Sequence, residues 1–161
     1  MKPTARDIFG DPVHLLAFGL GAGLAPRAPG TAGTVVAVPL VAATWALPLA
    51  VRIGICLVLI LAGAWLCGAS ARKLGVHDHG GIVADEIAGF YLAMLLLPAG
   101  GWWMLAAFVG FRFFDIAKPW PIGPLDRRVG GGTGIMIDDL VAGLFTAAAL
   151  QLGGLAWMQI T

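Results

Sequence analysis

The sequence predicts an all-α fold, a small polytopic membrane bundle of about four to five apolar helices in a single domain over residues 1–161. Two observations support this prediction. The chain is 59% hydrophobic and only 12% charged, with a mean hydropathy of +0.89, whereas a soluble domain carries roughly 25% charged residues. Its apolar residues also form runs that are separated by short stretches rich in Gly, Pro and charge, as between helices in a bilayer.

The N-terminal part of the chain is predicted to lie outside the bilayer core. Met1–Pro12 is polar and indicates a short interfacial or soluble segment. Val13–Leu24 is apolar but too short to span, so we expect a helix that lies at the interface or beneath the protein. Gly21–Thr34 is dense in Gly and Pro, which predicts irregular backbone.

Four apolar stretches follow. Val35–Leu49 and Val51–Ser70 are the first two candidate spans, and Val83–Leu97 and Trp102–Ala117 are shorter. At 1.5 Å per residue the shorter pair covers about 22 and 24 Å. Because the hydrocarbon core is about 30 Å thick, this pair could form a hairpin that does not cross completely.

The last apolar helix is expected to begin at Asp138 and Asp139 and to run to about Met158. In this arrangement every Lys and Arg falls on one side except Arg52. The positive-inside rule therefore predicts that the N-terminus and the polar loops Gly75–Val83 and Pro119–Thr133 face the cytoplasm.

Five acidic residues are expected to converge on that cytoplasmic side. Asp85 and Glu86 begin one helix, Asp115 ends the next, and Asp138 and Asp139 begin the last. Helix capping explains one acid of each pair, but not two adjacent acids twice, nor Asp115 at a helix C-terminus. Like charges this close need protons or a cation, and a cluster of oxygen ligands without sulfur suits Mg²⁺ or Mn²⁺. We therefore predict a divalent-metal site here.

Small residues near two of these acids predict close helix contact. Gly89 follows Asp85, and Gly143 follows Asp139, at a spacing of i to i+4. Each glycine therefore lies one turn from an acid on the same face, where small residues let membrane helices approach closely.

Basic residues next to the predicted metal indicate an anionic ligand. Arg112, Asp115 and Lys118 are spaced so that the first two are neighbours on one helix face, and Pro119 then ends the helix. Arg27 lies in the Gly- and Pro-rich loop. A metal, basic side chains and backbone N–H groups together bind phosphate. The alternative is that the tip of this helix is only a snorkelling membrane anchor.

Other features of the sequence carry weaker predictions. His77 and His79 could be ligands or a general acid, but they are more often solvated loop residues. Cys56 and Cys67 are expected to be buried thiols and not a disulfide. The net charge of +1 gives no reason to expect nucleic-acid binding.

Four motifs resemble those of the phosphatidylglycerophosphatase A family, and they cover nearly the whole chain from Ala17 to Gly143. In order they read GLGAGLAPRAPGTAGT, VADEIAGF, FRFFDIAKPWPIG and GIMIDDLVAG. The resemblance implies an all-α membrane enzyme that uses Mg²⁺ to hydrolyse phosphatidylglycerophosphate to phosphatidylglycerol and inorganic phosphate in phospholipid biosynthesis.

The resemblance and the chemistry together assign roles to individual residues. The residues expected to be catalytic are Asp85, Asp115, Lys118 and Asp139. The residues expected to bind the substrate phosphate are Arg27, Thr31, Arg112 and Lys118. The residues expected to bind one or two Mg²⁺ ions are Asp85, Glu86, Asp138 and Asp139.

The resemblance implies a bacterial membrane enzyme. Together with the apolar runs and the positive-inside bias, it leads us to expect a multi-pass protein of the inner membrane whose active site faces the cytoplasm. The lipid bilayer and the lipid substrate are its expected partners, and an oligomer is compatible with the sequence. Direct attack by water and an aspartyl-phosphate intermediate stay open as routes. The rival functions are an ion channel or transporter, and a phosphatidyltransferase, whose DGxxAR-type motif is absent from the sequence.

Overall fold

The computed structural model describes residues 3–77, 79–120, 122 and 131–160. These residues form α-helices, one 3₁₀ turn at Ala22–Leu24 and no strand, so the predicted all-α class is confirmed. The α-helices are α1 (Ala5–Gly10), α2 (Pro12–Ala17), α3 (Pro29–Thr44), α4 (Leu49–Leu74), α5 (Ala84–Leu95), α6 (Gly101–Ala117) and α7 (Gly131–Ile160).

The N-terminal segment folds as two short helices, α1 and α2, and α2 packs against α4. The Asp11 side chain caps α2 and also pairs with Lys73. This hydrogen bond from Lys73 lowers the pKa of the exposed Asp11 carboxyl. The buried ring of His14 hydrogen-bonds Ser70 through Nδ1, at 2.9 Å. The single helix expected over Val13–Leu24 is wrong, because the backbone at 19–21 has positive φ and breaks it.

The irregular backbone expected through Thr34 ends earlier, at Ala28. Helix α3 begins at Pro29, which occupies the first helical position, where its missing N–H costs nothing. Thr31 therefore lies in the first turn of a helix and not in a loop.

Within the part of the chain that the structure describes, two helices are long and apolar enough to cross a membrane by length and composition: α4, and residues Gly131–Leu155 of α7. Only 11% of the most apolar part of α4 is buried in the protein, against 44% for α7, so α4 exposes most of its apolar surface. The number of spans expected from the sequence stays a prediction.

Helix α5 is shorter than α3, α4, α6 and α7. It lies at the centre of the bundle and packs against all four of them. Its buried face presents Phe90, Tyr91 and Met94 to the main core. The Phe90 ring contacts that of Phe111 in α6 at 6.0 Å between centroids. Burial of each such side chain stabilises the fold by about 1.5–3 kcal/mol.

Helix α7 begins at Gly131, so the predicted start at Asp138 and Asp139 is wrong. The glycines before the acids allow this helix to touch α4. A Cβ atom on Gly132 would lie 1.9 Å from the Ala64 carbonyl oxygen. Asp138 and Asp139 therefore lie about two turns inside the helix, at the depth where α7 meets α5.

Candidate active site

Three carboxylates meet where α5 begins beside α7. Asp85 and Glu86 lie in the first turn of α5, as the sequence predicted, and Asp139 comes from α7. One oxygen from each of these three side chains lies within 4.8 Å of the other two. Asp85 and Asp139 are buried, and Glu86 is half-buried. We call these three residues the carboxylate cluster.

Each member of the carboxylate cluster has a buried oxygen without a hydrogen-bond partner among the described residues. These atoms are Oδ1 of Asp85, Oε2 of Glu86 and Oδ1 of Asp139. Ionised carboxylates that are buried without a partner are unfavourable, so the cluster requires protons or a cation. Its all-oxygen donor set fits Mg²⁺, which binds few protein carboxylates and keeps several waters.

Arg112 links the cluster to Asp115. Its Nη1 lies 2.5 Å from Oδ2 of Asp115 and 3.8 Å from Oε1 of Glu86. The predicted pairing of Arg112 with Asp115 on one helix face is confirmed. Because both acids lie within ion-pair distance of one guanidinium, Arg112 bridges the end of α6 and the start of α5.

Lys118 pairs with Asp138 at the edge of the cluster. Lys118 is the C-cap of α6 and has a left-handed backbone, with φ 41°. Asp138 is adjacent in sequence to Asp139, and adjacent helical residues point about 100° apart. Asp139 therefore belongs to the carboxylate cluster, whereas Asp138 contacts the Lys118 amine.

A cavity of about 110 Å³ opens onto these groups, and we call it the acid pocket. It has room for only a few water-sized groups, since water occupies about 30 Å³ in the liquid. Its walls include His77, Gly80 and the side chains of Asp115, Lys118 and the cluster. His79 instead accepts a hydrogen bond from the Gly81 N–H and packs against Phe18. The two histidines therefore differ in their surroundings, a difference that the sequence alone does not reveal.

The first turn of α3 also reaches this site. A Cβ atom on Gly30 would lie 2.1 Å from Oε1 of Glu86 and 3.0 Å from Nη1 of Arg112. Gly30 lies between Arg27, which is exposed, and Thr31, which is half-buried. The proximity of Gly30 to Glu86 was missed from the sequence, although Pro29 at the start of a helix was a usable signal.

Five charged residues of the chain lie outside the described residues. They are Lys2, Asp78, Asp126, Arg127 and Arg128. The assigned roles of the site residues, including Asp138 as a metal ligand, stay predictions.

The chain is also similar in sequence to known proteins. Residues 15–153 match the family described as Phosphatidylglycerophosphatase A. A protein of Escherichia coli with that name is 46% identical over 91% of this chain and 86% of its own length. Its namesake in Haemophilus influenzae is 43% identical over 89% of this chain and 90% of its own length.

A more distant relative has a different name. A Bacteroides thetaiotaomicron protein provisionally named phosphatidylinositol-3-phosphatase is 33% identical over 82% of this chain and 87% of its own length. No solved structure matches the chain.

Proposed function

The chain belongs to the phosphatidylglycerophosphatase A family, and on this premise we propose that it is a Mg²⁺-dependent enzyme of phospholipid biosynthesis. Its substrate is phosphatidylglycerophosphate, and its products are phosphatidylglycerol and inorganic phosphate. The observation that carries the proposal is the carboxylate cluster beside Lys118 and Arg112.

Asp85, Glu86 and Asp139 hold the metal in this proposal, as one ion or as two with Asp138 nearby. When bound, Mg²⁺ would neutralise phosphate oxygens and lower the pKa of a water molecule. The orphan oxygens of the cluster and the absence of sulfur from its donors support this assignment.

The remaining charged residues bind and orient the phosphate. Lys118 reaches the acid pocket from a half-exposed position and holds a phosphate oxygen, while its pairing with Asp138 keeps the amine in place. Arg112 orients Asp115 by a charge-assisted contact. Arg27 and Thr31 bind the phosphate from the α3 side, next to Gly30.

In the overall reaction the bond between phosphorus and the terminal glycerol oxygen breaks. Water supplies the oxygen that joins phosphorus, and one of its protons goes to the glycerol oxygen. In the alternative route an aspartate, Asp85, Asp115 or Asp139, attacks phosphorus, and phosphatidylglycerol leaves after its oxygen takes a proton from water. Water then hydrolyses the aspartyl phosphate to release inorganic phosphate and regenerate the carboxylate. Both routes develop charge on the transferring group, and this charge is what Lys118 and Arg112 stabilise.

The proposed setting is the inner membrane of a bacterial cell, with several spans and the acid pocket on the cytoplasmic side. The apolar, mostly unburied α4 and the bias of basic residues support this setting. A phosphate on a glycerol head group would lie at the bilayer surface while its acyl chains stay in lipid.

Phosphate release from purified protein tests the proposal. Wild-type protein in mixed micelles should release phosphate from phosphatidylglycerophosphate with Mg²⁺, lose this activity in EDTA and regain it with added Mg²⁺. Phosphatidylinositol 3-phosphate, suggested by the name of the Bacteroides relative, is the competing substrate. Faster release from that lipid would overturn the substrate assignment, and ion flux in liposomes without any phosphatase activity would favour the channel.

A further inference from the structure

An apolar groove of about 440 Å³ lies between α3 and α4, with α5 as its floor. Its size falls within the 300–1,000 Å³ that is usual for ligand sites. Its lining includes Pro39 and Leu40 of α3, Val58 and Ala62 of α4, and Ala84 and Ile87 of α5. None of the described residues that line it is charged.

The groove exists because α3 and α4 both pack against α5 but scarcely against each other. Small residues on α4, Ala62 and Gly63, leave space for the groove. Ala62 is exposed, and Val58 is 65% exposed. The groove is therefore a concave apolar surface beside exposed residues of α4.

The groove begins at the level of the carboxylate cluster. Ala84 and Ile87 line it, and they flank Asp85 and Glu86 in the first turn of α5. A Cβ atom on Gly63 would lie 3.7 Å from the Ala84 carbonyl oxygen, so α4 passes at the same depth. From Leu66 to Val58 the groove follows α4 for about 12 Å at 1.5 Å per residue.

We propose that this groove binds one acyl chain of the lipid whose head group enters the acid pocket. The inference rests on the proposed function, since it names where the apolar part of that substrate lies. A chain in the groove contacts protein on three sides, and this contact fixes the head group relative to the cluster. The groove thus selects a lipid phosphate over a soluble phosphate ester.

Filling the groove tests this inference. Ala62→Phe places a large side chain in the slot, and Ala50→Phe is the matched control, because Ala50 is an exposed residue of the same helix outside the groove. Both variants are assayed with phosphatidylglycerophosphate and with its deacylated head group. We expect Ala62→Phe to lower kcat/KM for the lipid about tenfold, a loss of about two buried CH₂ contacts, with less than a twofold change for the deacylated ester.

Three outcomes of this assay overturn the inference. They are equal losses on both substrates, no loss on the lipid, and an equal loss in Ala50→Phe. If Ala62→Phe lost equal activity on both substrates and also melted at a lower temperature, the groove would serve only the packing of the helices.

Photocrosslinking of the wild-type protein gives an independent measurement. A diazirine on the acyl chain is presented on phosphatidylglycerophosphate and on phosphatidylcholine, with Mg²⁺ and brief illumination on ice to limit hydrolysis, and adducts are located by mass spectrometry. The inference predicts adducts at Val58 and Ala62 that are several-fold more abundant with phosphatidylglycerophosphate.

Equal labelling by both lipids would show a surface that takes any lipid, and it would overturn the inference. Selective labelling without phosphate release by the wild type would instead leave the groove in place and refute the proposed hydrolysis.

Discussion

Gly89 and Gly143 touch through their backbones where α5 crosses α7. A Cβ atom on Gly143 would lie 2.4 Å from the carbonyl oxygen of Gly89. A Cβ atom on Gly89 would lie 2.6 Å from the carbonyl oxygen of Asp139. Since each glycine is one turn from a member of the carboxylate cluster, this contact sets the separation of Asp85 and Asp139.

Gly143→Ala should therefore destabilise the fold and weaken the site together. The added methyl group must push the helices apart, and overpacking of this kind costs about 1–3 kcal/mol. We expect a lower melting temperature in detergent and lower phosphatase activity. Gly153→Ala is the control on the same helix, because a Cβ atom there has no neighbour within 4 Å. Equal melting temperatures of the two variants would contradict the role of the crossing.

Gly30→Ala should damage the site with little effect on the core. Its Cβ atom would lie 2.1 Å from Oε1 of Glu86, so Glu86 and Arg112 must move. We expect a higher Mg²⁺ concentration for half-maximal activity and a nearly unchanged melting temperature. Gly54→Ala, on α4, has open space around the added atom and serves as the control. Unaltered Mg²⁺ dependence of Gly30→Ala would argue against Glu86 as a ligand.

Asp139→Asn and Asp138→Asn should each reduce turnover by at least about 100-fold, as loss of one electrostatic group does in other active sites. The protein should still insert and fold. Asp11→Asn is the control, because Asp11 pairs with Lys73 and neither residue lines the acid pocket. Binding of Mn²⁺, followed by electron paramagnetic resonance, checks the metal directly. If both variants keep near-wild-type rates and Mn²⁺ affinity, this acid pair is not part of a metal site.

Lys118→Met should lower kcat more than it raises KM. Charge develops on the transferring phosphoryl group, so a contact with it is strongest in the transition state. Lys73→Met, which breaks a different Lys–Asp pair, should leave kcat unchanged. A purified Lys118→Met protein with normal melting and normal turnover would remove Lys118 from the site.

Arg112→Lys should be less harmful than Asp115→Asn. Lys keeps the positive charge beside Asp115 but loses the planar fork that also reaches toward Glu86. Asn at 115 removes the acid itself. The comparison is made by kcat/KM at matched protein stability, and the reverse order would mean that Asp115 only anchors Arg112.

Cysteine labelling in intact cells tests the orientation. Gly80→Cys should react from the cytoplasmic side, and Ala99→Cys, beside Gly100, from the opposite side. The native Cys56 and Cys67 are buried and free, so they give little background. The segment Asp126–Gly132 is also expected on the cytoplasmic side, although residues 126–130 lie outside the described part of the chain. Labelling of positions 80 and 99 from one side would contradict the predicted topology.

The placement of the acids of α5 and α6 could be predicted from the sequence because it depends on helix ends, whereas Asp139 joins them from about two turns inside α7. Asp85 and Glu86 follow a polar loop, and Asp115 precedes Pro119, so their places are set by strong local signals. The close approach expected at Gly89 and Gly143 is confirmed. It could be predicted because small residues one turn from the acids indicate that two helices cross there.

Tertiary contacts account for the features that could not be predicted from the sequence. The glycines before Ile135 predict a loop by propensity, yet Gly132 is helical because it packs against α4. The pairing of Lys118 with Asp138, and of Gly30 with Glu86, joins residues far apart in sequence that no periodicity connects. The apolar groove depends on the gap between α3 and α4, which composition cannot reveal.

The left-handed backbone of Lys118 sets the thermostability of the fold against the catalytic role proposed for its amine. A residue with a Cβ atom pays about 1–2 kcal/mol for this conformation, which glycine adopts freely. Laboratory evolution that selected only for resistance to heat would therefore tend to replace Lys118 by glycine, and would discard the amine that faces the acid pocket.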